Sequence, residues 1–221
     1  LDYIRADIGM RLGALPYLEF VEEVRKKVSI PVIASVNCYS PDWWVSYAKR
    51  IEGAGAHGLE LNISHFPHKW YNDSKEIEKR YVEIVQKVTS EISIPVAVKI
   101  GFYFTTLWNT MVELVHAGAK ALVLFNRYYT VDVDLDNKTV VSSVQLSAPA
   151  EMHIPLRWIG LAASRLDCDI AATTGVHDAK AVIKALMMGA TVTQVCSTLY
   201  RNGPGYVAQL LDGLSSWMNE E

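Results

Sequence analysis

The stretch Glu52-Gly-Ala-Gly-Ala-His-Gly-Leu-Glu-Leu-Asn-Ile-Ser64 contains one complete helix-to-strand junction. Its first part is a run of small residues in which glycine can take the left-handed backbone angles that end a helix. An apolar run, 58–64, follows within three residues and is predicted to be a β-strand. A helix that ends on glycine and passes directly into an apolar strand is typical of a repeating β/α unit.

The same junction occurs twice more, at Ala117-Gly-Ala119 and at Met188-Gly-Ala190. Apolar residues recur at helical spacing between short apolar runs that are rich in β-branched residues. Because these runs are almost continuously apolar, they indicate a parallel sheet that is covered on both faces. The predicted strands are 30–37, 58–64, 95–100, 121–126, 168–174 and 191–196.

Strands and helices that alternate in this way leave two α/β architectures open, a doubly wound open sheet and a (β/α)8 TIM barrel. The Gly-x-Gly-x-x-Gly fingerprint of the dinucleotide fold is absent from the sequence, which weakens the first alternative. A complete barrel has eight strands in about 250 residues, whereas this chain has 221 residues and does not begin with Met. We therefore expect a single barrel domain over 1–221, incomplete, with six of the eight strands visible.

Composition narrows the classes of partner. The net charge is −3 and no basic face is predicted, so nucleic acid is not expected to bind. The three cysteines, Cys38, Cys168 and Cys196, form no CxxC pair, so we expect neither a disulfide framework nor a metal site, and we predict a cytoplasmic location. No apolar stretch approaches the ~20 residues of a membrane span. Aromatic helices and open sheet edges hint at a homo-oligomer.

Residues 127–155 interrupt the alternation of strands and helices. The segment is rich in tyrosine and aspartate at its start and is too long for a simple β/α turn. Barrels place their long structured loops at the carboxyl ends of the strands, where their active sites lie. We therefore predict a hairpin or excursion over the active-site face.

Lys99 is the most informative single residue, because burying an unpaired charge inside an apolar run is costly. One interpretation is a lysine whose ammonium reaches solvent along its aliphatic stem. A second is a cation that faces an electron-rich cofactor ring and stabilises the anionic reduced form of a flavin. A third is a Schiff-base nucleophile in a phosphate-binding lyase or isomerase.

Other polar residues also collect at strand ends, which converge on one face of a barrel. Asn37, Asn62 and Asn126 each end a predicted strand, and their amides can donate and accept hydrogen bonds at the edge of a pyrimidine or isoalloxazine ring. The last two strands end in 173–175 and 196–198, where small residues and free N–H groups could hold a phosphate. Ordinary tight turns are the alternative for both.

In combination these motifs resemble the dihydroorotate dehydrogenase family. The resemblance covers roughly residue 17 to the end of the chain. It implies a (β/α)8 barrel that binds FMN at its carboxyl-terminal face and oxidises dihydroorotate to orotate in pyrimidine biosynthesis. It rests on the segments 30–38, 52–64, 94–100, 121–126 and 189–203.

The resemblance also implies roles for individual residues. Lys99 would be the flavin-facing lysine, Asn37 and Asn62 would be pocket amides near flavin and pyrimidine, and Asn126 would bind the substrate. The two phosphate-binding turns would consist of Thr174, Gly175, Cys196 and Ser197.

The chain departs from the family pattern at three places. The family's base, a Cys or Ser, lies three residues after the strand-end Asn, and this position is His65 here. A histidine can act as a base near neutral pH, an exposed loop residue is the alternative, and Ser64 is the second candidate. The family's Gly-Gly turn has become Thr174-Gly175, which narrows the room for phosphate. The family's strands before residue 17 are not seen.

These departures keep a second class of function open, a non-catalytic or truncated barrel homologue without flavin turnover. The electron acceptor is equally open, since quinone, fumarate, NAD and an iron–sulfur partner all occur in the family. The chain has no cysteine cluster that could ligate an iron–sulfur centre.

Overall fold

The structure, a computed structural model, describes residues 14–37, 41–64, 73–128, 130–143 and 145–220. Its first half alternates helices and strands without interruption. Each helix ends within a few residues of the next strand, as the glycine junctions predict. These elements are α1 (Ala14–Lys27), β1 (Ile33–Val36), α2 (Pro41–Gly53), β2 (Gly58–Asn62), α3 (Ser74–Thr89), β3 (Val96–Ile100), α4 (Leu107–His116) and β4 (Ala121–Leu124).

The second half begins with an antiparallel hairpin, in which Val133 pairs with Val140. A short 3-10 helix, Pro149–Met152, then leads into the next helix, after which the alternation resumes. Within these ranges no helix combines the length and the apolarity needed to cross a membrane. The elements are β5 (Thr130–Asp134), β6 (Thr139–Ser143), α5 (His153–Ala162), β7 (Asp169–Ala172), α6 (Ala179–Met187), β8 (Val192–Thr193), α7 (Ser197–Asn202) and α8 (Tyr206–Glu220).

All six predicted strands occur, each shorter than predicted, in one parallel sheet of order β1-β2-β3-β4-β7-β8. Neighbours in the sheet follow chain order, so every crossover runs in the same direction. Right-handed crossovers in one direction place all connecting helices on the same face. The sheet therefore has one helix-covered face and one inner face.

Helices cover one face of this sheet, and the other face lines the inside of the curl, as in a (β/α)8 barrel. On the helix-covered face, residues such as Leu59, Leu61 and Val98 are fully buried. The inner face carries alternate residues, and β1 and β3 accordingly alternate between buried and more accessible side chains. Inner-face residues point into the concave side of the sheet, where strands face other strands rather than helices.

The curvature of the sheet is seen in one contact across its inner face. Gln194 follows β8 directly, and its Nε2 donates to Oε2 of Glu60 on β2 over 2.7 Å. These strands are four places apart, which in a flat sheet corresponds to about 19 Å. The contact requires the sheet to curl, and the six strands form a curled half-barrel.

One edge of the sheet is capped by a side chain. The Tyr17 hydroxyl of α1 donates to the carbonyl of Ser35 over 3.0 Å and accepts from the Ser35 N–H over 3.1 Å. These two bonds satisfy backbone groups of β1 that, among the described residues, have no neighbouring strand on that side. Burial raises the pKa of Tyr17, so the hydroxyl keeps the proton that this double bond needs.

The amino-terminal end of the sheet is held by Glu52, the penultimate residue of α2. Its Oε1 accepts from the Ser93 N–H and hydroxyl, over 2.7 and 2.6 Å, and from the Ile94 N–H over 3.2 Å. The bonds from Ser93 lower the pKa of Glu52, because they stabilise the ionised form. This carboxylate ties the end of α2 to the segment that leads into β3.

We predict that Glu52→Gln lowers the free energy of unfolding at pH 7 by about 1 kcal/mol, after allowing for solvent screening. Because the folded pKa of Glu52 is lowered, its contribution is present above the unfolded pKa and is lost as pH falls through the folded pKa. Urea unfolding between pH 7 and pH 3 should show the deficit shrinking in acid. Glu113→Gln, at an exposed position on α4, is the control and should show no such pH dependence. A deficit constant across this range would contradict the prediction.

Candidate functional site

Lys99 lies on the inner face of β3, where it pairs in register with Asn62 of β2 and Val123 of β4. Only 20% of its side chain is exposed. Its Nζ donates to Oε1 of Gln194 over 3.2 Å and lies 3.6 Å from Oε1 of Glu60. The ammonium is therefore directed into the curl of the sheet, and the interpretation that it extends away into solvent is not supported.

Glu60 is a site residue that the sequence analysis missed. Its side chain is only 6% exposed, and its two oxygens accept from the Ser35 hydroxyl and from the Gln194 amide, each over 2.7 Å. The sequence pattern could have identified it, because Glu60 is an acid in an apolar strand. It lies two residues before Asn62 and hence on the same face of the strand. Gln194 had no comparable signal, because only the curl brings it to β2.

The three asparagines lie at the carboxyl ends of their strands, as predicted, but they form two groups. Asn126 donates through Nδ2 to Oδ1 of Asn62 over 2.6 Å, so these two amides are in contact beside β3. Asn37 donates through Nδ2 to the hydroxyl of Ser64 over 3.1 Å. The arrangement offers amide groups next to a lysine, a donor and acceptor set suited to a planar heterocycle.

The structure describes one of the two candidates for the active-site base, Ser64. His65 lies outside the described residues. Ser64 is half-buried, and its hydroxyl accepts from Asn37, which leaves its own proton available for a further hydrogen bond.

The turn after β7 has an unusual backbone. Thr174 has φ 76° and Gly175 has φ 81°, so a β-branched residue shares the left-handed region with the glycine that follows it. Such a residue costs on the order of 1–3 kcal/mol unless its surroundings enforce it. The Thr174 hydroxyl donates to the carbonyl of Phe125 over 3.2 Å, which helps to hold it. Thr174 thus keeps a glycine-like conformation despite its side chain.

Ser147, also missed by the sequence analysis, joins the two turns predicted to hold phosphate. Its N–H donates to the Ser197 hydroxyl over 2.9 Å, and its own hydroxyl accepts from the Gly175 N–H over 3.4 Å. The same hydroxyl lies 3.0 Å from Nε2 of His177. Since Ser147 lies within the long segment 127–155, no strand-end pattern could have identified it.

The predicted phosphate turns also differ in accessibility. Cys196 is exposed at the start of α7, and its carbonyl accepts from the N–H groups of Leu199 and Tyr200. A Cβ added at Gly175 would lie 2.6 Å from the Met152 nitrogen and 3.0 Å from its Cα. One side of the Gly175 turn is therefore filled by the 3-10 helix.

Among the described residues, no three His, Cys, Asp or Glu side chains lie close enough to hold a metal ion. Cys168 directly precedes β7 and so lies at the opposite end of the sheet from the candidate site. Burial, with the nearby charges of Asp169 and Asp167, raises the pKa of Cys168 to about 11. This thiol stays protonated at neutral pH and is a poor nucleophile.

The curled parallel sheet, with polar groups at the carboxyl ends of its strands, is that of a partial (β/α)8 barrel. The chain matches the family described as dihydroorotate dehydrogenase over residues 8–218. It belongs to the dihydroorotate dehydrogenase family.

Individual relatives agree with this assignment. A dihydroorotate dehydrogenase B (NAD(+)) catalytic subunit of Thermoplasma volcanium is 27% identical over 211 residues, which are 91% of this chain and 68% of that protein. The protein of the same description from Pyrococcus abyssi is 26% identical over 208 residues, 91% of this chain and 69% of that protein.

Solved structures give the same fold. A crystal structure of DHODH from Eimeria tenella in complex with ferulenol superposes with a TM-score of 0.73 at 14% identity, covering 95% of this chain and 65% of that chain. At this identity the likeness concerns the fold alone. The chain spans about two thirds of the length of the relatives that it matches.

We predict that Gly175→Ala destabilises the protein by about 1–3 kcal/mol more than Gly55→Ala does. Both glycines have a positive φ, 81° and 84°, so both substitutions carry the left-handed backbone penalty of about 1–2 kcal/mol. Only Gly175 meets backbone atoms, whereas nothing lies within 4 Å of a Cβ at Gly55. Urea denaturation of the two variants measures the difference in their free energies of unfolding. Equal decreases would show that the 3-10 helix can move away from the added Cβ without loss of stability.

Proposed function

We propose that this protein is an FMN-dependent oxidoreductase that oxidises dihydroorotate or a related dihydropyrimidine. The observation that carries the proposal is the inward direction of Lys99, next in register to Asn62. Membership of the dihydroorotate dehydrogenase family supports the reaction class. Under this proposal 1–221 is one flavin-binding domain, and 127–155 is an excursion over its active-site face.

The residues present suit the chemical groups of FMN. The Lys99 ammonium and the amides of Asn62 and Asn126 would contact the ring system, as donors and acceptors at its polar edge. The Asn37 amide would contribute from the neighbouring strand end.

The phosphate would be held at the two turns that Ser147 bridges. The Ser197 hydroxyl accepts from Ser147 and keeps its own proton to donate, with Cys196 beside it. The Thr174 hydroxyl and the Gly175 N–H donate to Phe125 and Ser147, and would exchange these partners for phosphate oxygens. Fixed donors of this kind suit a phosphate group. Since one side of Gly175 is occupied by Met152, we expect the phosphate on the opposite side of that turn.

When bound, the flavin supplies the chemistry of accepting a hydride from a substrate carbon. Lys99 would stabilise the negative charge that accompanies reduction. Asn62 and Asn126 would orient the pyrimidine ring. A base would remove the proton from the neighbouring substrate carbon, with His65 proposed for this role and Ser64 as the second choice.

The Schiff-base alternative for Lys99 is less compatible with the geometry. A Schiff-base nucleophile needs its nitrogen free to attack a carbonyl, whereas Nζ of Lys99 donates to Gln194 over 3.2 Å and lies 3.6 Å from a Glu60 oxygen. The lysine is therefore better suited to act as a fixed charge than as a nucleophile.

A non-catalytic homologue is the second candidate. It is favoured by the two outer strands, β1 and β8, which pair with no further strand among the described residues. In that case the Lys99–Glu60 pair would hold the half-barrel together and bind no cofactor.

The location and the assembly stay predictions, and the electron acceptor stays open between quinone, fumarate, NAD and an iron–sulfur partner. The relatives described above are named for NAD(+) as acceptor, and their acceptor need not be that of this protein. A cytoplasmic location and a homo-oligomer are the expectations from sequence.

We predict that the purified protein shows flavin absorption in the blue, bleached by dihydroorotate without oxygen. Lys99→Met should slow this bleaching by about 10²–10³-fold, since it removes the positive charge that is held beside the reacting ring. Lys120→Met, at an exposed position beside the amino-terminal end of β4, is the matched control and should leave the rate unchanged. Stopped-flow absorbance measures both. A colourless protein that added FMN cannot colour would favour the non-catalytic homologue.

A further inference from the structure

The inner face of the half-barrel contains a network of four polar side chains from opposite parts of the sheet. Glu60 accepts from Ser35 of β1 and from Gln194 after β8, and both Glu60 and Gln194 contact Lys99 of β3. Taking two charges out of water costs several kcal/mol per ion, and a well-packed apolar pair of similar volume is often at least as stable. Stability alone therefore does not explain why a charged pair occupies this position.

The geometry of the network fixes the ammonium group from two directions. A lysine ammonium has three N–H donors that rotate freely unless acceptors hold them. Here Gln194 Oε1 lies 3.2 Å from Nζ and Glu60 Oε1 lies 3.6 Å from it. The two acceptors are themselves joined, because Gln194 Nε2 donates to the other oxygen of Glu60 over 2.7 Å.

This closed triangle distinguishes the roles of its members. Glu60 supplies a negative charge that offsets part of the positive charge on Lys99. Gln194 is neutral, so it orients the ammonium without changing the net charge, because it accepts from Lys99 and donates to Glu60. Ser35 donates to the Glu60 oxygen that faces Lys99, and so keeps that oxygen in place.

We propose that Glu60 and Gln194 are positioning residues for Lys99. They hold its ammonium in one orientation at the mouth of the half-barrel, and the charge of Glu60 sets how much positive potential Lys99 exerts there. The second part of this inference rests on the proposed function, because it concerns the potential that a bound flavin would experience.

The positioning role is tested without flavin. In protein labelled with 15N-lysine, the Lys99 ammonium signal is assigned by its loss in Lys99→Arg, and its proton exchange rate is measured by NMR. Gln194→Leu should raise that rate by about tenfold, the effect of losing one charge-assisted hydrogen bond. Glu60→Gln should raise it as well, because it removes the ion pair with Lys99 and the carboxylate that accepts from Gln194. Glu52→Gln, which removes a hydrogen-bonded carboxylate at the opposite end of the sheet, should leave the rate unchanged. Unchanged exchange in both inner-face variants would overturn the positioning role.

The charge effect is tested on the FMN-loaded protein by its midpoint reduction potential. Glu60→Gln removes a negative charge beside the anionic reduced ring, so the ratio of affinities for reduced and oxidised FMN should rise about tenfold. For a two-electron couple this corresponds to a shift of about 30 mV to more positive values. Gln194→Leu and Glu52→Gln keep the charge of Glu60 and should not produce this positive shift.

The outcomes separate the two proposals. Faster ammonium exchange in Glu60→Gln with an unchanged potential would overturn the charge effect and leave the positioning role supported. Failure of the unsubstituted protein to bind FMN would refute the proposed function and the charge effect together. The exchange measurement would still decide whether Glu60 and Gln194 position Lys99.

Discussion

The curl of the six-stranded sheet is the constraint on which the rest of the structure depends, and its clearest expression is the hydrogen bond between Glu60 and Gln194. A flat sheet would hold these groups several strand spacings apart. Once the sheet curls, the carboxyl ends of all six strands converge on one opening. Every candidate site residue that the structure describes lies at or near this opening, on strands that are distant in the chain.

The division of each strand into two faces follows from the same constraint. Residues that point outward pack against helices and form the apolar core, while those that point inward face other strands. The inner face could in principle be apolar as well, as it is at Val123. At Glu60 and Lys99 it is charged, and the pair is tolerated because each charge finds its partner within the curl.

The second part of the site depends on the long segment between β4 and β7. Ser147 at its far end contacts both Gly175 and Ser197, and Met152 packs against the Gly175 turn. These contacts help to explain how Thr174 keeps a backbone conformation that a β-branched residue rarely adopts. Several contacts hold this turn in one conformation. A turn held in this way keeps its polar groups in a fixed arrangement, which favours binding of an anionic group.

The sequence by itself determined the alternation of strands and helices, the parallel sheet and the strand ends at which Asn37, Asn62, Lys99 and Asn126 lie. These features depend on local chemistry: glycine at helix ends, β-branched apolar runs and the period of each element. It did not decide what covers each face of the sheet, since a nearly continuous apolar run does not reveal whether helices or other strands lie against a face. Only the tertiary structure decided that Asn62 meets Asn126, that Glu60 and Gln194 hold Lys99, and that Ser147 joins the two turns. The residues in these contacts lie 28 to 95 positions apart in the chain, and no pattern along the sequence encodes the curvature that brings them together.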